Sequence, residues 1–258
     1  MTKLYTTAPT TIFGPPGTGK TTALIKLVQE KLIGGVRPQD IGFMSFSRKA
    51  ATEAKERASK ILDLNPKDMV YFRTLHSLAF SWLGLSTSEV MSGRDYNELG
   101  KLVGLDFRTT QTVNMEEQLL VLDKAFKDYK RANRKVDFID MIERFIWQET
   151  SPEFDLLIID EAQDLAPLQW QMVQDVLVPN SNEIVYAGDD DQAIYSWMGV
   201  DVENFLNASS DKIILDQSFR VPEHPFAFAK GLTDQITKRE DKEWKPKNEK
   251  GFVTWHND

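Results

Sequence analysis

The chain has 258 residues, no cysteine, 41% hydrophobic and 27% charged side chains and a net charge of −8. This is an ordinary globular composition; it excludes disulfide-rich, collagen-like and broadly disordered classes, and it leaves no thiolate to bind a metal or act as nucleophile. No apolar run approaches the roughly 18 residues of a membrane span, and the opening residues lack the apolar core of a signal peptide, so no membrane partner and a cytoplasmic location are expected.

Along the chain, continuous apolar or β-branched runs at residues 10–13, 41–46, 69–72, 156–159, 184–187 and 213–215 predict strands covered on both faces. Helical spacing follows at 21–32, with Leu24, Leu27, Val28 and Leu32 on one face, and at 48–62. This βα alternation predicts an α/β fold built on a parallel sheet. Residues 78–148 contain no good strand but show helical spacing at 114–130 and 138–148, so they are expected to form an inserted helical subdomain. Residues 237–250 are charged throughout and read as a linker, after which 251–255 could open a further strand.

Charge is uneven. Residues 1–80 carry 12 basic against 6 acidic side chains, and residues 151–236 carry 3 against 16. The first segment could meet phosphates and some carboxylates of the second could hold a metal ion, although most surface charges only solvate. Lys124, Lys127, Lys130, Arg131, Arg134 and Lys135 cluster in the helical insertion, either as a phosphate-binding face or as a solvated helix face.

Gly14-Pro15-Pro16-Gly17-Thr18-Gly19-Lys20-Thr21 fits the pattern G-x-x-x-x-G-K-[ST] between a predicted strand and a predicted helix. Glycines let backbone N–H groups turn inward around phosphate oxygens, and the helix N-terminus faces the same anion. Lys20 can reach the β- and γ-phosphates of ATP, and the Thr21 hydroxyl can ligate Mg²⁺; Thr22 completes the candidate nucleotide contacts. The strand at 156–159 ends in Asp160-Glu161. Paired with a phosphate loop, Asp160 is a candidate Mg²⁺ ligand and Glu161 the group that polarises the attacking water; alone, such an Asp could equally cap a helix.

Asp160-Glu161-Ala162-Gln163-Asp164 resembles DExQD, motif II of the UvrD/Rep/PcrA-like superfamily 1 helicases. Residues 43–51 resemble their motif Ia, Arg73-Thr74-Leu75-His76-Ser77 their GTFHS segment, residues 188–199 their motif III (GDxDQSIYxWRGA) and Leu215-Asp216-Gln217-Ser218-Phe219-Arg220 their motif IV (LEQNYRS). Val136-Asp137-Phe138 resembles an LDF segment at the end of the family's insertion. The likeness covers about residues 10 to 225.

It implies a RecA-like P-loop NTPase parallel sheet formed by 1–80 and 149–236, a helical insertion at 81–148, and the start of a truncated second RecA-like domain in 237–258. It also implies ATP hydrolysis coupled to 3′ to 5′ movement on single-stranded DNA. By resemblance, Gln192 senses the γ-phosphate, Arg220 is an arginine finger and Phe219 stands where a tyrosine stacks on adenine. Phe46, Thr74, His76, Tyr195 and Trp197 fall where the family touches single-stranded DNA. Bland alternatives stay open: Phe46, Tyr195 and Trp197 as core aromatics, and His76 as a backbone partner. The sequence departs from the family in four ways. No glutamine precedes Gln29, Thr22 stands where many members have arginine, Met198 replaces the arginine of WRGA, and motifs V and VI are absent. A second RecA-like domain or subunit is therefore the implied partner. The alternatives are a DNA-stimulated ATPase or strand-binding module without unwinding, and a P-loop ATPase acting on proteins or small molecules.

Overall fold

Ile41, Phe43 and Met44 are buried along a single strand, yet Phe43 packs into the core on one side of the sheet and Met44 into the core on the other. Two covered faces explain why the strands read as unbroken apolar runs. The computed structural model describes residues 8–104 and 115–255, without the side chains of 115–120 and Met198. Its main sheet contains β1 (Thr10–Phe13), β2 (Ile41–Ser45), β3 (Phe72–Arg73), β4 (Phe154–Asp160), β5 (Ser181–Gly188) and β6 (Asp211–Ile214). Their spatial order is β3-β2-β4-β5-β1-β6, and every pair is parallel. The ends of β1, β5 and β4 therefore lie side by side at one edge of the sheet, where open α/β folds place ligands.

Helices α1 (Lys20–Ile33) and α2 (Arg48–Leu62) cover one face. Leu24, Ile25 and Val28 of α1 are buried there, with Leu27 and Leu32 partly so. Burying a leucine such as Leu24 stabilises by about 1.5–3 kcal/mol. The bounds of α2 follow from its caps: Ser47 Oγ accepts from the Ala50 N–H, and Asp63 ends the helix in the left-handed conformation.

The opposite face is covered by α3 (Leu75–Trp82), by α6 (Phe138–Gln148) through Met141, Ile142 and Phe145, and by α7 (Pro167–Gln171) with the π-helical stretch Met172–Leu177 that continues it. In the insertion, α4 (Gly93–Val103) and α5 (Met115–Asn133) supply Leu99 and Tyr129 to a small cluster completed by Met91, which precedes α4. Capping boxes at Ser92/Asp95 and Asp137/Asp140 start α4 and α6. Asn114, the first residue of the helix expected at 114–130, lies outside the described residues. Strand β3 is shorter than the expected 69–72 and ends one residue later: Phe72 and Arg73 pair with Phe43 and Met44 in the middle of β2.

The largest difference from the sequence reading is at the C-terminal side. After the short α8 (Glu203–Leu206), β7 (Gln217–Pro222) leaves the main sheet and α9 (Glu223–Thr233) follows. The segment expected to be a charged linker folds back instead. Its β8 (Lys245–Lys247) pairs in parallel with β7, and Lys242 is buried. Trp244, unassigned from sequence, packs edge-on against Phe226 with ring centroids 4.5 Å apart. The strand expected at 251–255 does not form: Gly251 takes a positive φ of 62° beside Pro222, and residues 251–255 find no pairing partner.

Candidate nucleotide and nucleic-acid site

The phosphate loop leaves β1 at Gly14, whose N–H donates to the Gly188 carbonyl (2.8 Å) and so ties the loop to the end of β5. Gly17 and Gly19 adopt φ of 77° and 81°, and the loop feeds directly into α1 at Lys20. Thr18 closes the turn through its hydroxyl, which donates to the Pro15 carbonyl (2.8 Å). The loop is also held from outside. Ser218 Oγ donates to the Pro16 carbonyl (2.7 Å), and the Phe219 N–H donates to the Gly17 carbonyl (2.9 Å). Strand β7 thereby brings Phe219 and Arg220 to the loop, with both side chains exposed. A Cβ on Gly17 would run into that of Arg220.

Asp160 ends β4 with 4% of its surface exposed. Glu161 follows at a φ of 55°, a left-handed conformation unusual for a glutamate, and this turns its carboxylate towards the loop. Lys20 Nζ lies 2.8 Å from Glu161 Oε2 and 3.8 Å from Asp160 Oδ1. Burial pushes the Asp160 carboxyl up to about 6, against the opposing charge of Lys20. Burial would raise Glu161 as well, but the charge and hydrogen bond of Lys20, with the amide of Gln163, carry it below its ordinary value. A polar chain runs on from here. Gln163 Nε2 donates to Glu161 Oε2 (2.9 Å), Gln163 Oε1 accepts from the Asp189 N–H (3.1 Å), and Gln192 Nε2 donates to Asp189 Oδ2 (2.5 Å). Gly188 is needed for this approach, since a Cβ there would collide with Gln163 Oε1 and the Phe205 ring.

The donor set suits Mg²⁺. The hydroxyl of Thr21 and the buried carboxylate of Asp160 are hard oxygens, and a single cation is opposed to that carboxylate. No group of three or more His, Asp or Glu side chains that could hold a metal occurs among the described residues. A magnesium ion held by one carboxylate together with phosphate oxygens and water requires none.

On the other side of the same loops lies a groove of about 850 Å³. Phe46, Thr74, His76 and Tyr195 all line it. Phe46 and Tyr195 face each other with centroids 5.4 Å apart, and Tyr195 neighbours Trp197 at 6.5 Å. Phe46 and Tyr195 are half-buried, while Trp197 is 76% exposed and so is not a core residue. Thr74 is buried, and its hydroxyl accepts from the Ser77 N–H to cap α3. The half-buried His76 packs edge-on to Phe138 (5.3 Å), and burial lowers its pKa below the ordinary imidazole value.

Phe138 and Ile139, which are exposed at the start of α6, and Asp164 also line the groove; Phe138 and Asp164 lie in motif-like segments, but none of the three is marked as a strand contact by the sequence. Phe138 and Ile139 lie four and three positions before Ile142, so helical periodicity alone merges them with the core face. The basic cluster of the insertion is paired in part, Lys130 and Lys135 in shielded ion pairs and Lys127 and Arg131 in exposed ones along α5. Lys130 pairs with Asp137 and Asp140, Lys135 with Asp95, Lys127 with Asp123 and Arg131 with Asp128.

Residues 2–198 match the model of a family described as an AAA domain. The chain belongs to that family. This AAA domain is similar to the ATP-dependent DNA helicase PcrA of Leuconostoc citreum, at 24% identity over 95% of this chain and 40% of that protein. It is similar to the ATP-dependent DNA helicase Rep of Buchnera aphidicola, at 24% over 84% of this chain and 39% of that protein. A PcrA of Staphylococcus aureus is 26% identical over 83% of this chain and 36% of its own length. The chain thus spans about two fifths of the length of these relatives, and they agree with the UvrD/Rep/PcrA-like superfamily 1 resemblance of its motifs. A crystal structure of the Pif1 helicase from Candida albicans overlaps with a TM-score of 0.38 at 15% identity, over 83% of this chain and 37% of that one. Among the described residues no helix is long and apolar enough to cross a membrane.

Proposed function

We propose that this AAA domain is the motor portion of a DNA helicase or translocase, coupling ATP hydrolysis to 3′ to 5′ movement on single-stranded DNA. In this reading residues 1–80 and 149–236 form the RecA-like ATP-binding domain, 81–148 its helical insertion, and a second RecA-like domain with motifs V and VI completes the motor. One observation supports it above the rest. Glu161 and Asp164, three positions apart on one turn, address the phosphate-loop lysine and the aromatic groove respectively. A shift of that turn on nucleotide binding is therefore felt in both places.

The roles follow from chemistry. Lys20 and the loop N–H groups neutralise and orient the phosphates. Thr21 and Asp160 would hold Mg²⁺, which supplies further neutralisation of the phosphate charge. A bound phosphate competes with Glu161 for Lys20; as the lysine turns to the phosphate, Glu161 loses its cation and becomes a better base for the attacking water. Gln192 sits at the end of the polar chain from Glu161 and reports the γ-phosphate to the segment bearing Tyr195 and Trp197. Arg220 stabilises charge on the transferred phosphoryl group, and the exposed Phe219 offers a stacking face to the base of the nucleotide. Phe46, Tyr195 and Trp197 stack on bases without sequence preference, and Thr74 and His76 line the strand path.

The test is single-turnover ATP hydrolysis by the purified chain with and without oligothymidylate. DNA is expected to raise the rate, and Lys20→Ala to abolish it. A rate indifferent to DNA would return the chain to a P-loop ATPase of another kind, and turnover retained by Lys20→Ala would remove the site altogether.

A further inference from the structure

Lys242 is the buried lysine of the described residues, and its ammonium is sealed from solvent. It reaches Asp189 Oδ1 (3.2 Å), Asp191 Oδ2 (3.1 Å) and Asp190, all on the turn that follows β5. Arg239 forks onto both oxygens of Asp191 (2.8 and 3.0 Å), and the Glu240 N–H donates to Asp190 Oδ2 (2.7 Å). Three successive carboxylates in a water-poor site repel one another and pay for desolvation, so they stay ionised in one arrangement only with cations among them. Residues 239–242 supply those cations from some 50 positions further along the chain.

The carboxylate that Lys242 holds is not a bystander. Asp189 Oδ2 accepts from Gln192, and the Asp189 N–H donates to Gln163, which in turn donates to Glu161, the partner of Lys20. Lys242 therefore stands at the outer end of an unbroken polar chain that reaches the phosphate loop. Gln192 is held through the Asp189 carboxylate and Gln163 through the Asp189 backbone N–H, so the strap acts on both by fixing the turn at Asp189, and Gly188 leaves no room for slack beside Gln163.

We infer that Lys242 is a positioning residue for ATP turnover: the strap at 239–242, by clamping Asp189, fixes Gln192 and Glu161 in their working geometry. The inference rests on the hydrolase reading above. It gives the segment after α9 a task in the first domain itself, so that a pull on this strap loosens the γ-phosphate end of the site while leaving the phosphate cradle intact.

The experiment compares single-turnover ATP hydrolysis with the affinity for a fluorescent ADP, in the parent chain, Lys242→Met and Lys242→Met/Asp190→Asn. The single variant leaves three carboxylates with one cation and serves only if it folds. The double variant keeps the cluster at its original net charge and keeps an acceptor for the Glu240 N–H. Turnover is expected to fall about ten- to a hundredfold in the double variant, the cost of a small misplacement of catalytic groups. Affinity for ADP is expected to stay within about threefold of the parent, since the phosphate cradle is untouched. A folded double variant that hydrolyses ATP at the parent rate, or one whose ADP affinity falls as far as its rate, would overturn the inference. A parent without measurable turnover even with oligothymidylate and an added polypeptide carrying motifs V and VI would instead overturn the hydrolase reading, and this inference with it.

Discussion

Trp197 presents 76% of its surface to solvent beside Tyr195 and the groove. Replacing it with alanine removes a stacking platform without opening a cavity. Trp197→Ala is expected to weaken oligothymidylate binding by about 1–3 kcal/mol with an unchanged melting temperature. Fluorescence anisotropy against thermal unfolding checks this; the opposite pattern would make the indole a packing residue. Asp164 is the reverse case, a carboxylate buried in the groove wall with Oδ1 unpartnered. Burial, and next the charge of Glu161, push its pKa from an ordinary 3.8 up to about 6. The folded chain thus holds this proton more tightly than the unfolded chain, so stability falls as pH rises through this interval and stays lost above it. Asp164→Asn is therefore expected to stabilise by about 1 kcal/mol near pH 8 and by less near pH 5, read from urea unfolding at the two values. A gain independent of pH would mean that the carboxylate is not the source. Motif spacing does not single out Asp164 as a groove residue, because its surroundings come from Tyr195 and from the insertion.

At the scale of elements, the phosphate loop and β7 act as one unit. Pro16 and Gly17 each offer a carbonyl to the strand carrying Phe219 and Arg220. Gly17→Ala meets both a positive φ and the Arg220 Cβ, so the loop or β7 must move. Nucleotide affinity is expected to drop by at least about tenfold, about 1.4 kcal/mol and so within the 1–3 kcal/mol that a strained backbone position costs. Equilibrium titration with fluorescent ADP measures it, and parent-like affinity would show that the loop tolerates the shift. The bounds of α2 and α6 were legible because local signals set them: a capping serine or aspartate at the start and a left-handed residue at the end. Helix α9 gave no such signal. It buries no residue, and Pro225 in its first turn reads as a breaker although the first turn is where proline is tolerated.

For the molecule as a whole, the uneven charge of the sequence resolves into pairings between distant segments. Asp189, Asp190 and Asp191 of the acidic stretch are paired with Arg239 and Lys242. The basic segment supplies Lys20 to Asp160 and Glu161. In the proposed reading the complete motor alternates two grips on the strand with the state of the nucleotide. This chain has one aromatic groove and one candidate arginine finger among its described residues. Losing a second finger commonly costs about 10³–10⁵ in rate. The purified chain is therefore expected to hydrolyse ATP slowly and not to unwind a duplex bearing a 3′ single-stranded tail, until a polypeptide with motifs V and VI is added. Robust ATP-dependent strand displacement by the chain alone would require a motor of one domain or a self-associating one.

The sequence by itself determined the parallel sheet, the phosphate loop and the paired carboxylates. Each is encoded by residues close together in the chain: an apolar run, a glycine-rich turn, a strand ending in Asp160 and Glu161. Only the tertiary structure decided that residues 239–247 close over motif III, that Phe138 and Ile139 complete the groove, and that Arg220 lies against Gly17. These depend on contacts between segments tens to hundreds of positions apart. There a lysine reads as solvated and a phenylalanine as core until the fold supplies the carboxylate or withholds the neighbour.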